Sequence, residues 1–172
     1  DALPIYGKGK TSAAVGLAVR AAGCGKRVVI ARFLKTDNSG EVEILKKIPE
    51  VTLIPCRKTF GFVRSMDEET KRECAAYHRE LFGEAVKLAE HADLVVFDEI
   101  MAAVNYGMVP ERDVLEFLEN RPGRDQTDGL EIVLTGRDPS EKLIAAADYV
   151  SEICKRKHPF DRGIMERRGV EY

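Results

Sequence analysis

Residues 5–12 read IYGKGKTS and lead into AAVGLAVRAAGCG at 13–25. The tail of that stretch, Gly7-Lys8-Gly9-Lys10-Thr11-Ser12, has the chemistry of a phosphate-binding loop feeding a helix. Glycines allow successive backbone N–H groups to turn inward around an anion. A helix beginning there adds its free N–H groups and the positive end of its dipole. Lys10 brings a mobile charge to the outer phosphates, Lys8 brings a second, and the Thr11 hydroxyl is a ligand for Mg2+. The head of the loop is unusual, because the usual pattern has a glycine four residues before the Gly-Lys pair and that position is Pro4. The competing reading is a Gly-Lys turn that caps an ordinary helix.

A second stretch favours the nucleotide reading. DLVVFDE at 93–99 is an apolar strand that runs into Asp98 and Glu99, the form of a Walker B strand. Such a strand delivers its terminal carboxylates to the Mg2+ held by the loop. Two arginines complete a triphosphate cage. Arg20 lies on the helix after the loop, and Arg137 follows the strand LEIVLTG at 130–136, a position suited to bidentate phosphate binding. Each is also compatible with a surface ion pair.

The remaining segments alternate in the same way. ALPIY (2–6), RVVIARFL (27–34), VTLIP (51–55) and YVSEI (149–153) read as strands alongside 93–99 and 130–136. Helices are expected at 10–23, 40–48, from Ser65 to about Glu90, at 111–120 and from Asp138 to Ala147. Ser65 with Glu68 forms a capping box, and Asp138 before Pro139 an N-cap. The long third helix has an apolar stripe of Cys74, Tyr77, Leu81, Ala85 and Leu88. This pattern predicts one α/β domain over residues 1–172. Its mainly parallel sheet of about six strands is flanked by helices, the RecA-like architecture of P-loop NTPases, with ligands at the carboxyl ends of the strands.

Composition narrows the function. With 44% hydrophobic and 33% charged residues the chain is that of a soluble globular protein. A net charge of −2 argues against a bulk nucleic-acid binder. No apolar run approaches the ~18 residues that span a bilayer. Cys24, Cys56, Cys74 and Cys154 form no C-x-x-C pair, so reduced thiols in a cytoplasmic protein are expected rather than a zinc site. The opening Asp1, in place of Met, reads as a trimmed N-terminus.

GKGKTSAAVGLAVRAAGCGKRVVIARFLK, VVFDEI, VLTGR, ADYVSEI and the terminal KHPFDRGIMERRGVEY together resemble the ATP:corrinoid adenosyltransferases of the P-loop type. The tail is the most specific piece, since ordinary P-loop ATPases do not carry it. The family's short loop has Thr-Gly-Asp/Asn ahead of Gly-Lys-Gly-Lys-Thr, whereas Tyr6 passes directly to Gly7 here. The expectation is that about three residues belong between them.

The resemblance implies a transferase that binds ATP, Mg2+ and a reduced corrinoid, cob(I)alamin in the typical case. Co(I) attacks the ribose C5′ of ATP, triphosphate leaves and adenosylcobalamin forms. Lys10, Thr11 and Glu99 are then the catalytic candidates. Gly7, Lys8, Gly9, Lys10, Thr11, Ser12, Arg20 and Arg137 are the ATP contacts, and Thr11 with Asp98 or Glu99 holds Mg2+. Phe60 and Phe62 in KTFGFVRS (58–65) are the corrinoid contacts, although Arg64 stands where the family has Trp and the chain contains no Trp. A homodimer and a flavoprotein reductant are also implied. Ordinary core packing is the alternative for the two phenylalanines. His78 and His91 are expected on the surface, His158 in support of the site, and Cys56 as a packing residue. Competing functions are another P-loop enzyme, such as a nucleoside kinase or small ATPase that releases ADP, and a non-enzymatic nucleotide switch.

Overall fold

The computed structural model describes residues 9–123, 129–165 and 167–170. Among them, four strands form one sheet: β1 (Val28–Arg32), β2 (Val51–Leu53), β3 (Leu94–Asp98) and β4 (Glu131–Leu134). Their order is β2-β1-β3-β4, and every neighbouring pair is parallel. Val28 sits opposite Leu94 and Arg32 opposite Asp98, so β1 and β3 end level with one another.

Side-chain alternation along these two strands builds two cores. Val28, Ile30, Leu94 and Val96 face α1 (Lys10–Gly23), which packs on them through Ala14, Ala18 and Ala22. One alanine per turn gives a narrow stripe and brings this helix close to the sheet. Val29, Ala31, Val95 and Phe97 face the other way, against α3 (Glu68–Ala89), whose Cys74, Leu81, Phe82 and Ala85 are buried there. Both strands are buried along their whole length, as expected for a parallel sheet covered on both faces.

Several local expectations shift. The sheet has four strands among the described residues, not six; ALPIY lies outside those residues. YVSEI has no ladder partner among them and leaves Tyr149 92% and Val150 60% exposed. The N-cap of α3 falls two residues after the expected one. Ser65 ends a 3-10 turn at Val63–Ser65 and donates to the Phe62 carbonyl, while Asp67 accepts the Thr70 N–H at 2.8 Å. On α3 the stripe holds at Cys74, Leu81 and Ala85, but Leu88 is exposed and His78 is buried.

Asp138 has φ 51, in the left-handed region and outside the extended conformation of an N-cap, so capping passes to Ser140. The helix α6 there is short, Glu141–Ala146. Helices α2 (Gly40–Leu45) and α5 (Glu111–Glu119) fall within their expected spans. A further helix, α4 (Ile100–Asn105), directly follows β3. No helix among the described residues is long and apolar enough to cross a membrane.

Candidate active site

Three strand ends turn sharply at the carboxyl edge of the sheet. Leu34 after β1, Glu99 after β3 and Asp138 after β4 all have positive φ, of 51°, 62° and 51°. Non-glycine residues held in this region are sparse and cluster where a site is being shaped. The head of α1 reaches the same edge. Gly9 has φ 119, a conformation open to glycine alone, and its carbonyl accepts the Ala13 N–H at 2.8 Å to open the helix. Gly9 brings no side chain to cap that first turn and no acidic residue lies in it, which suits the positive end of the helix to an anion.

Asp98 is the hub. It is 2% exposed and lies at the end of β3. The Thr11 hydroxyl donates to its Oδ1 at 3.1 Å, and the Thr135 hydroxyl donates to the same oxygen at 2.6 Å. Lys35 Nζ donates to Oδ2 at 2.6 Å and also to the Thr11 hydroxyl at 2.7 Å. A carboxylate this buried requires a countercharge and filled lone pairs, and it has both. Thr135 also accepts the Glu99 N–H at 2.9 Å, so it fixes both acids at the strand end.

Lys10 belongs to the same charge cluster. Burial lowers its pKa from the usual lysine value, Arg137 and Lys35 push the same way, and Glu99 and Asp98 oppose them. Three cationic side chains and two carboxylates therefore surround the α1 terminus, an arrangement suited to a polyanion with its metal. The donor set, one hydroxyl with buried and half-exposed carboxylates, is the hard oxygen chemistry that Mg2+ takes. Arg137 reaches this region because Asn105 Nδ2, on α4, donates to the carbonyls of Arg137 and Asp138 at 3.1 and 3.2 Å. The close packing of that turn depends on Gly136. A Cβ there would lie 2.5 Å from Met101 Cβ.

Among the anticipated residues, the fold thus brings together Lys10, Thr11, Asp98, Glu99 and Arg137. Ser12 is exposed in the first turn of α1. Arg20 is exposed in the last turn of that helix, nine residues beyond Thr11 and thus about 13 Å along the axis; it does not join the cluster around Asp98. Gly7, Lys8 and the Tyr6–Gly7 junction lie outside the described residues. Sequence reasoning missed Lys35 and Thr135. Thr135 directly follows β4 in VLTGR and Lys35 comes three residues after β1 in ARFLK, and their place at the carboxyl edge was the signal available.

The segment after β2 leaves from this same edge. In it Gly61, with φ 76, separates two phenylalanines of opposite fate. Phe60 turns inward against Tyr77 and His78, with ring centroids 5.7 and 6.4 Å away, whereas Phe62 is 72% exposed. His78 is the correction here. It is 3% exposed among Phe33, Phe60 and Tyr77, its Nδ1 has no partner, and burial pushes its pKa down to about 4. His91 is exposed. His158 Nδ1 accepts the Phe160 N–H at 3.1 Å and so caps the turn Pro159–Arg162. Cys56 is half-buried beside Arg32, and burial raises its pKa to about 11, so it remains a thiol at neutral pH.

Comparison with known proteins identifies relatives of the whole chain. The family model described as ATP:corrinoid adenosyltransferase BtuR/CobO/CobP matches residues 6–172. The corrinoid adenosyltransferase of Escherichia coli K12 is 34% identical over 169 residues, 96% of this chain and 81% of that protein. Corrinoid adenosyltransferase CobA of Salmonella typhimurium is 34% identical over 168 residues, with the same coverage. The Pseudomonas aeruginosa corrinoid adenosyltransferase is 31% identical over 169 residues, 96% of this chain and 79% of that protein. With a match across nearly all of its length, and with the charged cluster at the head of α1, the chain belongs to the ATP:corrinoid adenosyltransferase family.

Proposed function

We infer that the protein transfers the 5′-deoxyadenosyl group of ATP to the Co(I) centre of a reduced corrinoid, with cob(I)alamin as the substrate and adenosylcobalamin and triphosphate as products. The observation that carries this reading is the convergence of Lys10, Thr11, Lys35, Asp98 and Arg137 at the uncapped N-terminus of α1. In the reaction the cobalt lone pair forms the Co–C5′ bond. The C5′–O bond breaks, and its electron pair leaves on the triphosphate. The nucleophile carries no proton, so no general base is needed. The protein's task is to hold the leaving polyanion and to aim C5′.

Lys10, Arg137 and the α1 amides stabilise the charge that grows on the triphosphate. Thr11 with Asp98 and Glu99 would hold Mg2+, which supplies further electrostatic stabilisation of that leaving group. Phe62 offers an exposed aromatic face to the corrin, and Phe60 backs its loop from the core. Gly7, Lys8 and Ser12 complete the phosphate cradle. Arg20, remote from the Asp98 cluster, is left to the nucleoside end or to a second copy of the chain. The working unit is a homodimeric, single-domain cytoplasmic enzyme served by a flavoprotein reductant. Exposed Tyr149, Val150, Ile164 and Met165 support a contact of this kind by leaving apolar surface uncovered.

The test is direct. Protein, ATP, Mg2+ and chemically reduced cobalamin are mixed, the adenosylcobalamin spectrum is followed and the phosphate product is identified. Adenosylcobalamin with triphosphate is expected. ADP without a cobalt–carbon product would overturn the reading in favour of a kinase or ATPase. Lys10→Ala should abolish turnover while leaving the thermal transition in place.

A further inference from the structure

Lys35 is part of that convergence but has no task in the reaction above, yet it contacts both Thr11 and Asp98. Its ammonium lies 2.7 Å from the Thr11 hydroxyl and 2.6 Å from Asp98 Oδ2. These are the two groups assigned to Mg2+, so one position between them is held by a cation that the chain itself supplies. The backbone commits to this placement, since Leu34, just before it, sits at φ 51. The side chain is 24% exposed and Asp98 is 2% exposed, so the pair is shielded from bulk water.

Two cations cannot share that seat. Lys10 and Arg137 already add positive charge beside it, so a bare divalent ion entering there meets three cationic side chains against two carboxylates. A metal that arrives with a polyphosphate brings its own negative charge. It also gives the displaced ammonium, on its four-carbon stem, new oxygen partners.

We propose that Lys35 is a resident stand-in for the divalent cation. It holds Thr11 and Asp98 in their paired geometry, excludes free metal, and yields only to metal bound to nucleotide. Metal and nucleotide affinities are thereby coupled, each favouring the other through the displacement of one side chain. The inference rests on the assignment of Thr11 and Asp98 to the metal.

The experiment titrates Mn2+, followed by its paramagnetic resonance, into the full chain without nucleotide. Lys35→Met should bind Mn2+ at least tenfold more tightly than wild type. Its melting temperature should rise with added Mn2+, while that of wild type stays put. Lys35→Gln, which keeps an N–H donor for Asp98 but removes the charge, should show the same tightening. If Lys35→Met folds only with Mn2+ present, that dependence also supports the proposal. Mn2+ binding that is unchanged or weaker in Lys35→Gln overturns it, as expected of a lysine that serves only phosphate. Failure of wild type to make an adenosylcorrinoid would instead strike the proposed reaction and leave the Mn2+ result intact.

Discussion

The Thr135 hydroxyl donates to Asp98 Oδ1 at 2.6 Å while it accepts the amide N–H of Glu99 at 2.9 Å. One side chain just past the end of β4, the strand next to β3, therefore sets the orientation of both acids. Thr135→Val keeps the shape and removes the hydroxyl. Asp98 then loses its shortest donor on that oxygen and the Glu99 amide loses its acceptor. The expected cost is roughly 1–3 kcal/mol of stability, read from denaturant unfolding. Activity should fall about 10–100-fold, as for other residues that orient a ligand from behind. Thr135→Ser, which restores the hydroxyl, should recover most of both, and failure to do so would mean that the γ-methyl packing matters more than the bond.

Gly136→Ala tests the close approach of the β4 turn to α4. The new Cβ would lie 2.5 Å from Met101 Cβ and 3.1 Å from the Met101 backbone nitrogen, at a φ of 143° that side chains rarely adopt. Strain and overpacking together should cost roughly 2–4 kcal/mol. Because Met101 Cβ and backbone are what obstruct, a second change of Met101→Ala should not rescue the loss. Urea unfolding of the single and double variants checks this.

The two phenylalanines of the β2 loop should separate cleanly. Phe62 is 72% exposed, so Phe62→Ala should leave stability within about 0.5 kcal/mol of wild type. If it faces the corrin, the KM for corrinoid rises and the KM for ATP does not. Phe60 packs against Tyr77 and His78, so Phe60→Ala should cost about 2 kcal/mol and act on activity mainly through the loop. An equal rise in both KM values for Phe62→Ala would remove it from the corrinoid site.

Much of this site was legible in the sequence because its parts are local. The loop Gly9-Lys10-Thr11 announces itself by glycine and charge next to a helix, and the run LVVFD reads as an apolar strand ending in an acid. Lys35 and Thr135 were not legible as partners of Asp98. Nothing in FLK or LTG marks a contact made across neighbouring strands, and the register that puts Arg32 beside Asp98 and Phe97 beside Leu134 is a tertiary fact. Helix starts were misplaced where two capping residues competed. Asp67, in the extended conformation of an N-cap, took the place of Ser65, which is held inside the 3-10 turn Val63–Ser65. His78 was misplaced for a different reason. Its polarity suggested solvent, but α3 turns that position towards Phe33, in the same core as Leu81 and Phe82.

That burial gives the protein a defined acid sensitivity. His78 is held neutral among aromatic rings, with its pKa lowered to about 4 by burial, while the unfolded chain leaves a histidine near 6.5. Between these two values the unfolded state binds the extra proton. Stability from this group is fully present above about pH 6.5 and is lost progressively as pH falls to about 4, with no further loss below. The whole span corresponds to roughly 3 kcal/mol. His78→Phe should remove that portion of the pH dependence and leave the part due to carboxylates. It also eliminates the unpartnered Nδ1, so at pH 7 the variant should be no less stable than wild type, provided that the ring fits between Phe33 and Phe60. Unfolding free energies of both proteins measured from pH 4 to pH 8 decide the matter. Parallel curves would show that His78 does not carry the proton-linked loss, and a gap that narrows steadily as pH rises towards 7 would show that it does.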